Sequence, residues 1–81
     1  MKNLNVNDFF ESSELSLCAT LVYFGYKIEA INKEGQRATL LFKQDKNIDS
    51  IVQGFWNNEI SVSPKAYFIC LKEIKTRIYS G

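Results

Sequence analysis

The chain contains no histidine. That removes the side chain that most often works as acid and base near neutral pH, and the commonest metal ligand. Its two cysteines, Cys18 and Cys70, stand far apart in separate apolar runs, so no zinc-ligand spacing exists. The four glycines form no phosphate-cradling loop. Asp45 and Asp49 are spaced like residues at a helix start, not like a catalytic pair. With a single proline there is no linker or low-complexity tract. No apolar run approaches the roughly 20 residues that cross a bilayer, and residues 1–10 lack the apolar core of a signal peptide. Ten Lys and Arg against nine Asp and Glu leave a net charge of +1, which is not the balance of a chain dominated by phosphate contacts. These absences predict a cytoplasmic protein with reduced thiols, no cofactor, no metal, no membrane contact and no enzymatic activity.

What is present is apolar mass. Of 81 residues, 46% are hydrophobic and 14% aromatic. A chain of this length buries only about 60% of its unfolded surface, so its core must be dense. One domain over residues 1–81 is expected, with 1–7 as a loose polar terminus.

Asp8-Phe9-Phe10-Glu11 has capping-box spacing, and Ser12 or Ser13 can cap a helix over residues 14–24. That helix is apolar around most of its circumference, and Gly25 supplies its left-handed stop. Residues 26–31 and 37–43 alternate like strands. A two-residue loop at Glu34-Gly35 would set Lys27 opposite Phe42. A three-residue loop, Lys33-Glu34-Gly35, instead pairs Ala30 with Ala38, Ile28 with Leu40 and Tyr26 with Phe42, and is the register expected. It leaves Ile31 and Leu41 as apolar residues on an outer face, a candidate self-association surface beside the open hairpin edges.

Asn47 is the expected cap of a helix over residues 48–57, whose stripe is Ile48, Ile51, Val52 and Phe55. Gly54 inside it either marks a close approach by another backbone or a ligand, or is an accident of sequence. Ile60-Ser61-Val62 alternates and can form a short third strand. Ser63-Pro64 then starts a helix over residues 64–79, buried through Tyr67, Cys70, Leu71, Ile74 and Ile78. The expected fold class is α+β: helix, antiparallel β-hairpin, helix, short extended segment, helix, with the helices on one face of a small sheet.

Ser13-Glu14-Leu15, the Gly25 stop, the glycine-bearing hairpin, Phe55-Trp56-Asn57-Asn58-Glu59 and Leu71-Lys72-Glu73-Ile74-Lys75 follow one another in an order that resembles a small prokaryotic family, domain of unknown function family 5659. Its pattern has Phe-(aromatic)-Asn-Gly-Glu between the second and third helices. Here Asn58 takes the glycine place and Trp56 the place usually held by tyrosine. The resemblance covers about residues 9–79. It implies the same element order in a small bacterial, archaeal or phage protein, and it brings no activity and no catalytic residues.

Three surfaces are candidates for function. Trp56, with Asn57, Asn58 and Glu59, offers an aromatic face and amide groups suited to a base, a nucleotide or a peptide. In the alternative, Trp56 packs against the last helix and the two asparagines only end the second. Phe68, Lys72, Lys75 and Tyr79 share a helical stripe, and with Arg77 they make the chain's basic end, the mixture that single-stranded nucleic acid binding uses. In the alternative, this is a solvated lysine face with Phe68 tucked against a neighbour. The third surface is Ile31 and Leu41 at the hairpin. The leading expectation is a non-enzymatic binding module for nucleic acid or a nucleotide-like ligand. The other is a protein-interaction module, for instance a phage-type inhibitor or sequestering protein, acting as a homodimer through the hairpin edge.

Overall fold

The computed structural model describes residues 8–80, so the terminus expected at 1–7 lies outside the described residues. The elements are β1 (Phe9–Ser12), α1 (Leu15–Tyr23), β2 (Ile28–Glu34), β3 (Arg37–Lys43), α2 (Lys46–Trp56) and α3 (Pro64–Ser80). The class is α+β, and the sheet is antiparallel in the order β1-β3-β2.

The third strand is not where the alternation of Ile60-Ser61-Val62 placed it. That segment is irregular, and β1 fills the role. Phe10 pairs with Phe42 and Ser12 with Leu40, so the stretch expected to be a capping turn lies along the free side of β3. Neither serine caps α1 in the expected way. Ser12 Oγ accepts from Glu14 N at 3.0 Å, while Ser13 Oγ bonds Thr39 Oγ1 at 3.0 Å and accepts from Arg37 Nε at 3.1 Å. Both serines thus fasten the β1–α1 corner to itself and to β3.

The hairpin register also differs from expectation. The loop is two residues, Gly35-Gln36, with Gly35 at φ +62° in its first position, where a tight hairpin favours glycine. Ile31 therefore pairs with Leu40, and Ala30 with Leu41. One step on, Ile28 pairs with Phe42, so Glu29 is an extra residue, a β-bulge. The bulge lets Ile28 and Ile31 face inward despite their odd spacing. Ala30 is consequently exposed and outer, and Ile31 packs on the core. The expected outer pair is divided: Leu41 is outer, half-buried between Glu11 and Ala30, and Ile31 is not.

The core lies between the inner face of the sheet and the helices. Leu40 and Phe42 from β3 meet Leu21 and Cys18 of α1, Ile48 of α2, and Ile74 and Ile78 of α3. Burying each large side chain of this kind stabilises by about 1.5–3 kcal/mol. Five consecutive residues of α1, Leu17 to Leu21, are buried, as an all-round apolar helix requires. Its one buried polar side chain is satisfied: Thr20 Oγ1 donates to Ser16 O at 2.8 Å. Two tyrosines bind α3 to α1, since Tyr67 OH also donates to Ser16 O, at 3.2 Å, and Tyr23 OH accepts from Ser63 N at 3.0 Å. The cap of α2 is Asp45, not Asn47. Its Oδ1 accepts from Ile48 N at 3.0 Å and from Tyr26 OH at 2.8 Å.

Candidate functional site

The end of α2 is built by its backbone. Asn57 is the C-cap and Asn58 follows at φ +64°. Glu59 N donates to Gly54 O at 2.8 Å and Asn58 N to Phe55 O at 3.2 Å. These two bonds define a Schellman motif, with Asn58 at the left-handed position. Helix α1 ends the same way, with Tyr26 N on Leu21 O, Gly25 N on Val22 O and Gly25 at φ +101°. Past the second motif the chain folds back over α2. Ile60 comes so close that a Cβ on Gly54 would lie 2.9 Å from its Cδ1. The close approach at Gly54 is made by the Ile60 side chain, and not by a second backbone.

This turn decides where Trp56 goes. Phe55, expected in the buried stripe of α2, is only half-buried beside the groove and is not part of the core cluster, while Trp56 is 64% exposed, touching Phe55 edge to face with ring centroids 4.9 Å apart. The reading in which Trp56 completes the core is therefore overturned. The two asparagines do end the helix. Beside the turn lies a groove of 240 Å³ lined by Thr20, Phe55, Asn58, Ile60, Val62 and Tyr67, and Trp56 does not line it. Both hydroxyls there already donate to Ser16 O. Among the described residues lining the groove there is no carboxylate and no amine.

On α3 the buried residues are Ile74 and Ile78, with Tyr67, Cys70 and Leu71 partly covered. Phe68, Lys72, Lys75 and Tyr79 fall together on one flank of that stripe. Phe68 is 61% and Tyr79 75% exposed, so Phe68 is not tucked against a neighbour. Among the described residues nothing hydrogen-bonds or ion-pairs with the side chains of Lys72 or Lys75. Arg77 is separate: at 3.6 residues per turn it lies roughly 140° around the helix from Lys72 and roughly 160° from Lys75. Ile69, Glu73 and Thr76 lie between it and Lys72 on the open outward side. Phe68, Lys72 and Lys75 thus share one flank, while Arg77 joins Lys72 in lining the hollow on the outward side of α3.

At the far end of α3 a second groove opens against the hairpin turn. Lys33, Gln36, Arg37, Ile78 and Tyr79 are among the residues lining its 470 Å³. Lys33 Nζ donates to Ile78 O at 2.6 Å, a cation at the negative end of a helix. Neither Lys33 nor Gln36 stood out in the sequence, because only the register brings the turn to α3. The outer sheet face carries Glu11, Asn32, Glu34, Arg37 and Thr39 around a further hollow. The side of β3 away from β2 is occupied by β1, so among the described residues the hairpin's open edge is that of β2, which carries the Glu29 bulge.

The model of a family described as a domain of unknown function (DUF5659) matches residues 7–80. The chain belongs to that family. No curated protein and no solved structure matches it. Membership gives the Phe55–Glu59 segment a structural meaning. The glycine that the resemblance places at position 58 is the residue a Schellman turn favours, and Asn58 adopts the same left-handed backbone.

The thiols differ. Cys18 is buried, and burial pushes its thiol up to about 11, far from the range of reactive cysteines. Cys70 is half-buried and likewise free. Among the described residues no cluster of Cys, Asp and Glu is arranged to hold a metal ion, and no helix is long and apolar enough to cross a membrane.

Proposed function

We propose that this domain is a non-enzymatic binding module for single-stranded nucleic acid, with the α3 flank of Phe68, Lys72, Lys75 and Tyr79 as its track. The observation that carries the reading is the exposure of Phe68 and Tyr79 on the same flank as two unpartnered lysines. Exposed rings give any base a stacking platform, and flexible ammonium groups follow the phosphates. Lysine is depleted in protein–protein interfaces, so aromatics interleaved with lysine favour nucleic acid over a protein surface. From Phe68 to Tyr79 the flank runs about 16 Å, room for roughly four or five stacked nucleotides. It is open, which suits a strand more than an enclosed mononucleotide. Arg77, on the other side of the helix, is left out of the track.

Fluorescence anisotropy with labelled single-stranded and duplex oligonucleotides at low salt tests this. Single strands should bind more tightly than duplex, and Phe68→Ala and Tyr79→Ala should each weaken binding about fivefold or more, from the roughly 1–3 kcal/mol that stacking of one base contributes. Equal affinity for both, untouched by either substitution, would refute the track.

A second reading is supported at the other end of the molecule. Trp56 is 64% exposed on an open helix end, and the stretch from Gln53 to Glu59 holds no lysine or arginine. A solitary exposed tryptophan without cations suits a protein hot spot better than a nucleic acid contact. A pull-down in which Trp56→Ala loses a protein partner but keeps oligonucleotide binding would assign Trp56 to that second role. A Trp56→Ala variant that loses oligonucleotide binding would return it to the first.

A further inference from the structure

We infer that Ile60-Ser61-Val62 is an open strand edge that takes an extended peptide of a partner protein, with the groove beside Phe55 holding an apolar side chain of that peptide. The inference rests on the protein-interaction reading of Trp56 above. The segment belongs to no helix or strand. Burial nevertheless alternates along it. Ile60 and Val62 are half-buried, while Glu59, Ser61 and Ser63 are exposed, the period of an extended chain. The flanking backbone is engaged: Glu59 N donates to Gly54 O at 2.8 Å, Ser63 N to Tyr23 OH at 3.0 Å, and Ser63 O accepts from Tyr67 N at 2.9 Å. Between them, the backbone groups of Ile60, Ser61 and Val62 have no hydrogen-bond partner among the described residues.

Extended backbone turns the N–H and C=O of alternate residues to opposite sides. Ser63 spends its N–H on Tyr23 of α1, so in that geometry the groups of Ile60 and Val62 face away from α1. They offer two donors and two acceptors to an added strand, the mode in which main-chain bonds give affinity and a pocket selects a side chain. The same two residues line the groove of 240 Å³. A cavity of about 150 Å³ takes a benzene ring, so the groove has room for a large apolar side chain. Trp56 stands exposed against Phe55, one of its walls. From Gln53 to Ser63 the one charged side chain is Glu59. No cation there meets a phosphate, and a peptide carrying lysine beside its apolar residues complements the carboxylate.

The test follows the isotope-labelled full chain by amide NMR as the acetylated peptide amide Lys-Leu-Thr-Leu-Lys is added. Millimolar peptide should shift the amides of Ile60, Ser61 and Val62 and the indole N–H of Trp56. Alanine in place of both leucines should weaken binding about tenfold or more. N-methylation of both leucines blocks the N–H groups that face the edge and should cost as much, while N-methylation of the threonine should change affinity less than about threefold. Trp56→Ala should weaken the leucine peptide about fivefold. If the leucine peptide shifts no amide of the segment, or the two methylated forms bind equally, the edge is wrong, and a pull-down that Trp56→Ala still empties leaves the Trp56 reading standing. If the peptide shifts the segment and Trp56→Ala leaves its affinity unchanged, the edge stands and the Trp56 reading falls. Shifts of Ile60 and Val62 with protein concentration alone would assign the edge to a second copy and overturn the inference.

Discussion

Replacing Asn58 by glycine and by alanine tests the turn that exposes Trp56. Asn58 sits at φ +64°. A left-handed backbone costs an ordinary L residue about 1–2 kcal/mol, and asparagine less, because its short polar side chain bonds locally. Asn58→Ala should therefore destabilise by about 1 kcal/mol, a fall in Tm of about 4–8 °C for a domain of this size. Asn58→Gly should stabilise by about 0.5 kcal/mol, the conformational gain less glycine's larger loss of chain freedom. Gly25→Ala is the control. Its φ is +101° and an added Cβ would meet nothing within 4 Å, so its entire cost, about 1–2 kcal/mol, is backbone strain. Thermal and urea unfolding followed by circular dichroism measure all three, with unchanged urea slopes as the check on two-state behaviour. Loss of stability in Asn58→Gly together with a neutral Asn58→Ala would refute the left-handed turn.

Three further outcomes follow from the packing. Ile31→Lys should destabilise by about 2 kcal/mol or more, since a charge would enter the core side of β2, whereas Ala30→Lys should lie within about 0.5 kcal/mol of the parent; chemical denaturation reverses this order if the loop has three residues and pairs Ala30 with Ala38. Thiol titration should label Cys70 first and Cys18 only on unfolding, because burial holds the Cys18 thiol at about 11; equal rates would contradict the burial. The Tyr26 hydroxyl is the chief cause holding the Asp45 carboxyl below its ordinary value. The resulting small stabilisation is complete above the ordinary aspartate pKa and is lost as pH falls below it. Tyr26→Phe should then differ from the parent in stability at pH 6, the difference narrowing as pH falls below the ordinary aspartate value, and a constant difference would refute the linkage.

Much of the fold was legible because it rests on local chemistry. Gly25 ends α1, Ser63-Pro64 precedes α3, and the stripe through Ile74 and Ile78 is buried as its spacing predicts. The misreadings have physical causes. Phe9–Ser12 is too short to show alternation, and the Asp8–Glu11 spacing imitates a helix cap, so only tertiary pairing with β3 reveals a strand. The face of Ile31 was hidden by the bulge, since strict period-two alternation cannot carry an extra residue. Ile28 and Ile31, apolar at odd spacing across Glu29, were the signal available. At the candidate site, Phe68, Lys72 and Lys75 could be grouped from helical spacing alone. The exposure of Phe68 and Trp56 could not, because burial depends on what packs beside them. The groove at Lys33 and Gln36 was invisible for the same reason.

The salt dependence of single-strand binding tests the α3 track most directly. Two phosphate contacts give a slope of log K against log salt of about −1.4, at about −0.7 per contact. Lys72→Gln and Lys75→Gln should each make that slope shallower by about 0.7, while Arg77→Gln on the opposite side leaves it unchanged. A slope near zero, or one that Arg77→Gln flattens as much as the two lysine variants do, would contradict the account.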